Sequence, residues 1–557
     1  MKTKINVLIF LIIAFSGVQI YSQVSQQWAQ RYTGAIDSSD IGVSVKCDAQ
    51  GNLYVLATSQ GSMTKTDLAV IKYNLSGVQQ WVQRYNSPSN NSDNAIDMAL
   101  DAAGNIYITG YSLISGFVNT DIVTIKYNNS GAQQWVKTYN GTAGNEDRPT
   151  GIVVDQGGNV YVTGNTNSTG SSDDYVTIKY SSSGTEEWVK KYNGTANGSD
   201  KAVGIVLDNL GNICVSGYGP GTGTGIDIAT IKYSPAGTEL WVKRYTASGT
   251  NNELARKIGA DNNGNIYVTG SGTVANNMDF LTIKYNSAGD TAWTRKYDGP
   301  DANTDFAYHI AVFDSNNIYV SGTSYGSGTS EDIATVKYNS AGVRQWAVRY
   351  DGPGGDGIEN GNVRGLQEDF VNGLALDSDG NLYLTGTAYF NESRHDYLTI
   401  KYDPTGKQKW IQFYDGQISS EDGGNSIVLD NSGNIYVTGY SSFSSNNNYD
   451  CITIKYSQTI GISNISSEIP ASYSLSQNYP NPFNPVTNIK FAIPTSGFVK
   501  LIVFDMMGRE VETLLNDNLT AGTYKADWNA SKYSSGVYFY KLETYQYSEI
   551  KRMVLVK

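Results

Sequence analysis

Carboxylates are the residues of this 557-residue chain whose spacing first suggests chemistry. Asp67, Asp121, Asp174, Asp227, Asp279, Asp332, Asp396 and Asp450 each precede a run of the TIKY type, and a Lys lies five residues on every time, from Lys72 to Lys455. Eight carboxylates carried to one level of a fold could hold hard cations. Short acidic side chains also cap backbone amides at turns, and eight copies at one turn position favour that role. The DSDGN of residues 377–381 has the opening of a calcium loop but lacks the bidentate Glu that should close it. The expectation is no metal ligand and no resident cofactor, with Ca2+ the one ion worth testing. The recurrent Lys is expected to make a local ion pair or to snorkel.

Proton-transfer chemistry has little to work with. Only His309 and His395 are present, in different repeats, and there is no HExxH, no GxSxG and no evident Cys–His pair. His309 should fall near the start of an innermost strand, at a channel mouth beside Arg256, where a packed or solvated ring is the simpler reading. The 52 acidic residues offer many pairs of the kind glycosidases use, but sequence fixes no distances between them. No catalytic residue is assigned.

The 40 Lys and Arg leave a formal charge of −12, with no basic face or tail, which argues against a nucleic-acid partner. Cys47, Cys214 and Cys451 are too few and too scattered for a disulfide framework. Cys214 stands where other repeats have Tyr and reads as a small buried side chain; a Cys47–Cys451 bridge requires the chain's ends to meet. At the N-terminus, Lys2 and Lys4 precede an apolar run from Ile5 to Phe15, then the small residues Gly17 and Ser22. This is the pattern of a signal peptide, residues 1–22, cleaved between Ser22 and Gln23. The mature chain is expected to have no transmembrane segment.

What positions these residues is a repeat. Asn52, Asn105, Asn159, Asn212, Asn265, Asn317, Asn381 and Asn434 mark it, at steps of 53, 54, 53, 53, 52, 64 and 53 residues. Each unit holds four short runs rich in Ile, Val, Thr, Tyr and Trp, joined by turns such as DAAGN and NNSGA whose Gly permits positive φ. Four hairpin-linked strands in about 53 residues predict a β-propeller blade. With strands named a to d, the chain reads d, then a-b-c-d seven times, then a-b-c. Pairing the opening QQWAQRY (26–32) with the last unit would close eight blades and leave no free sheet edge. Trp28, Trp81, Trp135, Trp188, Trp241, Trp293, Trp346 and Trp410 recur once per unit, which fits inter-blade packing better than sugar stacking. The a–b and c–d turns share one face. The longer b–c and d–a loops share the other, including 111–120, 140–151 and the 351–370 insertion, and a binding site belongs there.

The pattern DIATIKYNSAG…W…RY…GNIYVTGYS resembles the SBBP-type bacterial β-propeller repeat over residues 23–457. That resemblance implies a propeller but no ligand or catalytic residue. After a Ser- and Pro-containing linker, 458–473, the segment 474–557 resembles the C-terminal sorting domain of the type IX secretion system of Bacteroidetes-type bacteria. The matching elements are QNYPNPFNP (477–485), VFDMMGREV (503–511), LTAGTY (519–524), Trp528, SSGVYFYKL (535–542) and KRMVLVK (551–557). The motif residues carried over are Asn478, Pro480, Asn481, Pro482, Asn484, Pro485, Gly508, Gly522, Gly536 and Lys557. The resemblance implies recognition by an outer-membrane translocon, then release or surface attachment, and an Ig-like β-sandwich. The expected whole is an all-β chain: a non-enzymatic binding or adhesion scaffold for a glycan, polymer or protein. An extracellular propeller hydrolase or lyase and a structural surface-layer component are the alternatives.

Overall fold

The computed structural model describes residues 24–557 apart from positions 35, 37, 63–64, 116–118, 142–143, 169–171, 248, 250, 275–276, 301–302, 327–330, 354–357, 360–361, 364–367, 391–393, 417–420, 443–447, 459–461, 467 and 531–532. The expected signal peptide and its Ser22–Gln23 cleavage point lie outside the described residues. The chain divides into two units, Ser25–Ser457 and a second containing Gln458–Lys557. No helix among the described residues is long and apolar enough to cross a membrane.

The first unit is built of eight four-stranded antiparallel sheets. Blade 1 sets the pattern, with strands a (Asp40–Cys47), b (Leu53–Gln60), c (Thr66–Tyr73) and d (Gln79–Tyr85) in meander order. The last sheet takes a, b and c from Asp422–Leu429, Ile435–Ser442 and Tyr449–Gln458, and its d strand from Val24–Tyr32. Neighbouring a strands lie side by side around the unit, and the a strand of blade 8 lies against that of blade 1. The ring therefore closes through the opening strand, as the strand order of the sequence requires.

Local chemistry fixes the hairpins. In the a–b turn of blade 1, Asp48 Oδ1 accepts from the amides of Gln50 (3.0 Å) and Asn52 (2.8 Å), and Oδ2 accepts from Asn52 Nδ2 (2.8 Å) and Tyr54 Oη (3.1 Å). The same Asx turn recurs at Asp101, Asp155, Asp261 and Asp430. Asp377, in the calcium-like DSDGN, is spent in this way on Asp379, Asn381 and Tyr383.

The core is a series of seams rather than one centre. Buried residues of blades 1 and 2, of 4 and 5, and of 6 and 7 form separate clusters, and Tyr32, Val45, Val55, Tyr436 and Cys451 fill the seam where blade 8 meets blade 1. Most seams are pinned on the short-turn face. Trp135 lies between Tyr107 of its own blade and Tyr180 of the next, with centroids 6.2 and 6.0 Å away. Its Nε1 donates to the Ser182 carbonyl (3.3 Å), and Lys126 Nζ reaches the same oxygen (3.0 Å). The Lys expected to act locally thus clamps the neighbouring blade, over the face of Tyr107. Gly184, in that turn, has φ +84°, and a Cβ there would stand 2.7 Å from the Trp135 ring. The closing seam repeats the device with Trp28 (3.3 Å) and Lys455 (3.2 Å) on the Leu75 carbonyl.

Cys47, Cys214 and Cys451 are free thiols, so the Cys47–Cys451 bridge does not form although both pack in the closing seam. Cys214 is fully buried, as its place in the repeat suggests.

The second unit is a sandwich of two four-stranded sheets. One runs in the order Ile462–Ser466, Gly522–Asn529, Val486–Ile493, Ser474–Leu475; the other is Glu510–Leu519, Gly497–Phe504, Gly536–Thr544, Ser548–Leu555. The stretch expected to be pure linker, 458–473, therefore contributes a strand, since Ile462–Ser466 finds an open edge on Gly522–Asn529.

Truncating Trp28 to Ala removes a half-buried ring from the closing seam, so the loss should fall below the ~3–5 kcal/mol of a full core truncation. Urea titration of the variant should show a loss of about 2 kcal/mol. An unchanged midpoint would show that the opening strand does not hold the ring.

Candidate functional site

The innermost strands shape the channel. Every a strand carries a β-bulge in the same place, at Gly42/Ser44, Ala95/Asp97, Pro149/Gly151, Ala202/Gly204, Ala255/Lys257, Ala307/His309, Val371/Gly373 and Gly424/Ser426. A bulge adds one unpaired residue and re-aims its side chain. In blades 1 to 4 that residue is Val43, Ile96, Thr150 or Val203; in blades 5 to 8 it is Arg256, Tyr308, Asn372 or Asn425. One half of the ring is therefore mostly aliphatic and the other polar.

On the polar half, Arg256, Tyr308, His309, Phe370, Val371 and Asn372 line a cavity of about 260 Å³. The Arg256 guanidinium sits 5.8 Å from the centre of the Tyr308 ring. Burial, reinforced by Lys257, pushes the His309 imidazole down to about 3, so it is neutral at neutral pH. The structure thus brings together His309 and Arg256, as expected from their place in the repeat, and adds Tyr308 and Asn372. His395 is elsewhere, 2.9 Å from Glu421 and edge-on to Tyr389. A second cavity of about 560 Å³, among the ends of the a strands, is largely aliphatic, with Met98, Val153, Val206 and Leu207 in its wall beside Lys46 and Asp97.

In the blades that carry an Arg near the end of strand d, the recurrent c-strand Asp pairs with it, and Asp227 also accepts from Thr224 Oγ1 of its own turn (2.9 Å). Asp67 pairs with Arg84 (2.8 Å), Asp227 with Arg244 (3.0 Å), Asp332 with Arg349 (2.5 Å) and Asp450 with Arg31. A guanidinium matches a buried carboxylate better than scattered amides do. The capping acids on this face are a set that the sequence reading missed: Asp93, Asp147, Asp200, Glu253, Asp305, Asp369 and Asp422. Each accepts from a backbone amide of the preceding d–a loop, for example Ser87 N at 2.7 Å and Gly299 N at 2.6 Å. Their signal was present, since an acid follows the d-strand Tyr by eight residues in every unit but the one with the long insertion.

The two sets meet across seams, where carboxylates of adjacent blades repel one another. Burial raises Asp40, Asp121, Asp279 and Asp422 to about 6 and Asp369 to about 7, with neighbouring carboxylates adding to the rise. At three seams a third acid joins from the d–a loop. Asp279, Asp298 and Asp305 form one triad, Asp332, Asp351 and Asp369 another, and Asp396, Asp415 and Asp422 the third, each with an oxygen from every member within 4.8 Å of the others.

In the second unit the motif residues build the lead-in and the turns. Asn478 is buried, its Nδ2 donating to Thr487 Oγ1 (2.8 Å) and the Pro480 carbonyl (3.0 Å). Peptide bonds Tyr479–Pro480 and Asn481–Pro482 are cis. Asn481 Oδ1 accepts from Val554 N, and the Pro485 carbonyl accepts from Ala530 N. Between Asn481 and Pro485, the exposed Pro482 and Asn484 flank Phe483, which is buried against Trp528. Gly508, at φ +75°, closes the turn onto Glu510–Leu519; Gly522 and Gly536 open strands, and Lys557 N donates to Ser535 Oγ. Met506, Met507, Tyr479 and Tyr545 remain strongly exposed.

Sheets of this order, repeated around a ring, define a β-propeller, and comparison with known proteins supplies the families. Five segments, 80–117, 134–170, 240–277, 364–391 and 416–446, match the SBBP β-propeller repeat. Residues 477–557 match the secretion system C-terminal sorting domain. The chain thus carries SBBP β-propeller repeats and a C-terminal sorting domain, which indicates export. An uncharacterized WD repeat-containing protein of Acanthamoeba polyphaga mimivirus is 23% identical over 405 residues, covering 53% of this chain and 28% of its own length. The chain thus spans under a third of that relative. Similar solved structures include a fungal alcohol oxidase of the AA5 family in complex with copper (12% identity, 84% of this chain and 100% of that one, TM-score 0.37). Another is Drosophila Plexin A in complex with Semaphorin 1b (8%, 78% and 88%, TM-score 0.38). At these scores the likeness carries nothing about chemistry.

The raised seam acids make stability depend on pH. Each holds its proton more tightly in the folded chain than unfolded, where the ordinary value is about 4, so their contribution is present at low pH and lost as pH rises through about 6 to 7. His309, held neutral, acts in the opposite sense, but it is one group against five. In a chelating buffer the melting temperature should therefore rise by several degrees between about pH 7.5 and about pH 5. A fall over that interval would contradict the seam electrostatics.

Proposed function

We propose that the exported propeller is a binding module that takes an anionic group of an extracellular polymer, most simply an acidic glycan, into the channel cavity of blades 5 to 7. The observation behind this reading is the cavity wall itself. Its described polar groups are a guanidinium, a phenol, a neutral imidazole and a carboxamide, on strands rather than loops; Asn372 Nδ2 donates to the Gly424 carbonyl (3.0 Å), and Arg256 is the charged donor. Arg256 stacks over Tyr308 and keeps a fork suited to a carboxylate or sulfate. Recognition by pre-positioned donors in a partly apolar cavity needs no proton transfer. The sorting tail supplies the route outward, with the secretion machinery as its partner.

The test is a binding titration of the full chain against polygalacturonate, a sulfated glycan and neutral dextran, with product release followed in parallel. The acidic polymers should bind and dextran should not, and Arg256→Ala should weaken binding about tenfold or more, as losing a charge-assisted hydrogen bond does. Equal binding of dextran, or an indifferent Arg256→Ala variant, would refute the reading; released oligosaccharides would point to a lyase or hydrolase instead. Deleting residues 477–557 should stop the chain reaching the outer surface, as surface proteolysis and fractionation would show.

A further inference from the structure

Blades 2, 3, 5 and 7 lack the arginine that their siblings supply, with Thr138, Lys191, Lys296 and Phe413 in its place. In blades 1, 4 and 6 the d-strand residue beside the c strand is an Arg that closes on the c-strand Asp, and the register places Arg84, Arg244 and Arg349 opposite Ala69, Ala229 and Ala334. In blade 5 the same register places Lys296 opposite Leu281, and its Nζ turns away to the Thr273 carbonyl (3.2 Å). Asp279 is only 3% exposed, and among the described residues its carboxylate has no hydrogen bond and no ion pair, Lys296 attracting it only through space against the repulsion of Asp298 and Asp305. A buried carboxylate without a direct partner is costly unless something pairs with it. What it faces is Asp298, exposed at the start of the d–a loop, and Asp305, buried on the a strand of blade 6.

We infer that Asp279, Asp298 and Asp305 form a divalent-cation site, of Ca2+ type, that bridges blades 5 and 6 in the place taken by an arginine elsewhere in the ring. The donor set is all carboxylate, the preference of a hard cation. Two oxygens on one Ca2+ at about 2.3–2.6 Å stand at most about 5 Å apart, and the three ligand oxygens lie within 4.8 Å of one another. The shorter bonds of Mg2+, about 2.0–2.1 Å, would require a tighter cluster. Asp305 keeps Oδ2 on Gly299 N, which fixes the loop carrying Asp298. The exposed Asp298 gives an ion a way in from solvent. The neighbouring seam of blades 6 and 7 provides the internal contrast: it holds a similar triad, but Arg349 already occupies Asp332.

The test uses the full chain stripped with a chelator and titrated calorimetrically with CaCl2, with Tb3+ luminescence, sensitised by Tyr297 next to Asp298, as a second readout. The wild-type chain should bind at about 1 mM free Ca2+ or below, the range of extracellular calcium modules. Asp298→Ala changes an exposed side chain, so the fold should survive while one equivalent of Ca2+ and the Tyr-sensitised Tb3+ signal are lost. Lys296→Arg should also lose one equivalent, because the new guanidinium closes on Asp279, and its melting temperature in chelator should rise above that of the wild type. The triad at Asp396, Asp415 and Asp422 is untouched in both variants, so the comparison isolates one site. No Ca2+ uptake by the wild type would overturn the inference, as would unchanged stoichiometry in both variants.

Discussion

The fold depends on one contact made over and over: an indole and an ammonium from one blade sharing the turn carbonyl of the next. A single four-stranded sheet of this length hides little apolar surface from water, so its stability must come from neighbours. The Trp supplies area, the Lys supplies charge-assisted hydrogen bonding, and the turn Gly supplies the room that lets the ring lie flat against backbone. Because the acceptor is a main-chain oxygen, the interlock does not depend on which side chains decorate the turn: Leu75, Ser182, Pro235 and Pro404 all serve. That indifference permits sequence variation around the ring without loss of geometry.

The opposite face is organised by repulsion. Carboxylates from adjacent blades converge at the seams, and each seam must answer the resulting charge with an arginine, a proton or an ion. An interior arginine answers it permanently, whereas a proton answers it only in acid. The ring thus has seams of unequal electrostatic completeness on a common backbone. A rigid scaffold tolerates this because packing on the turn face holds the blades together.

Much of the architecture was legible in the sequence, and the reasons for success and failure are physical. Period, turn glycines and the out-of-order QQWAQRY strand specify sheets and closure because they are properties of single strands. The partner of Lys126 was not legible, because it is a carbonyl 56 residues away with no side-chain identity. The arginine that pairs with the c-strand Asp lies 17 positions on in blades 1, 4 and 6, a repeating Asp–Arg interval that is present in the sequence but hidden among many other charges. The Asp, Glu and Asp of the a strands were visible at a fixed distance from the d-strand Tyr but were lost among other acids. Neither cavity polarity nor the bulges that create it could be read, since a bulge depends on the partner strand's register.

The closing strand has a temporal side. Arg31 and its partner Asp450 are 419 residues apart, yet they belong to one sheet. A chain made from its amino end carries Val24–Tyr32 without its sheet partner until Tyr449–Gln458 has been made. Until then the ring is an open ribbon with an unpaired strand edge at each margin. Closure therefore waits on the last blade.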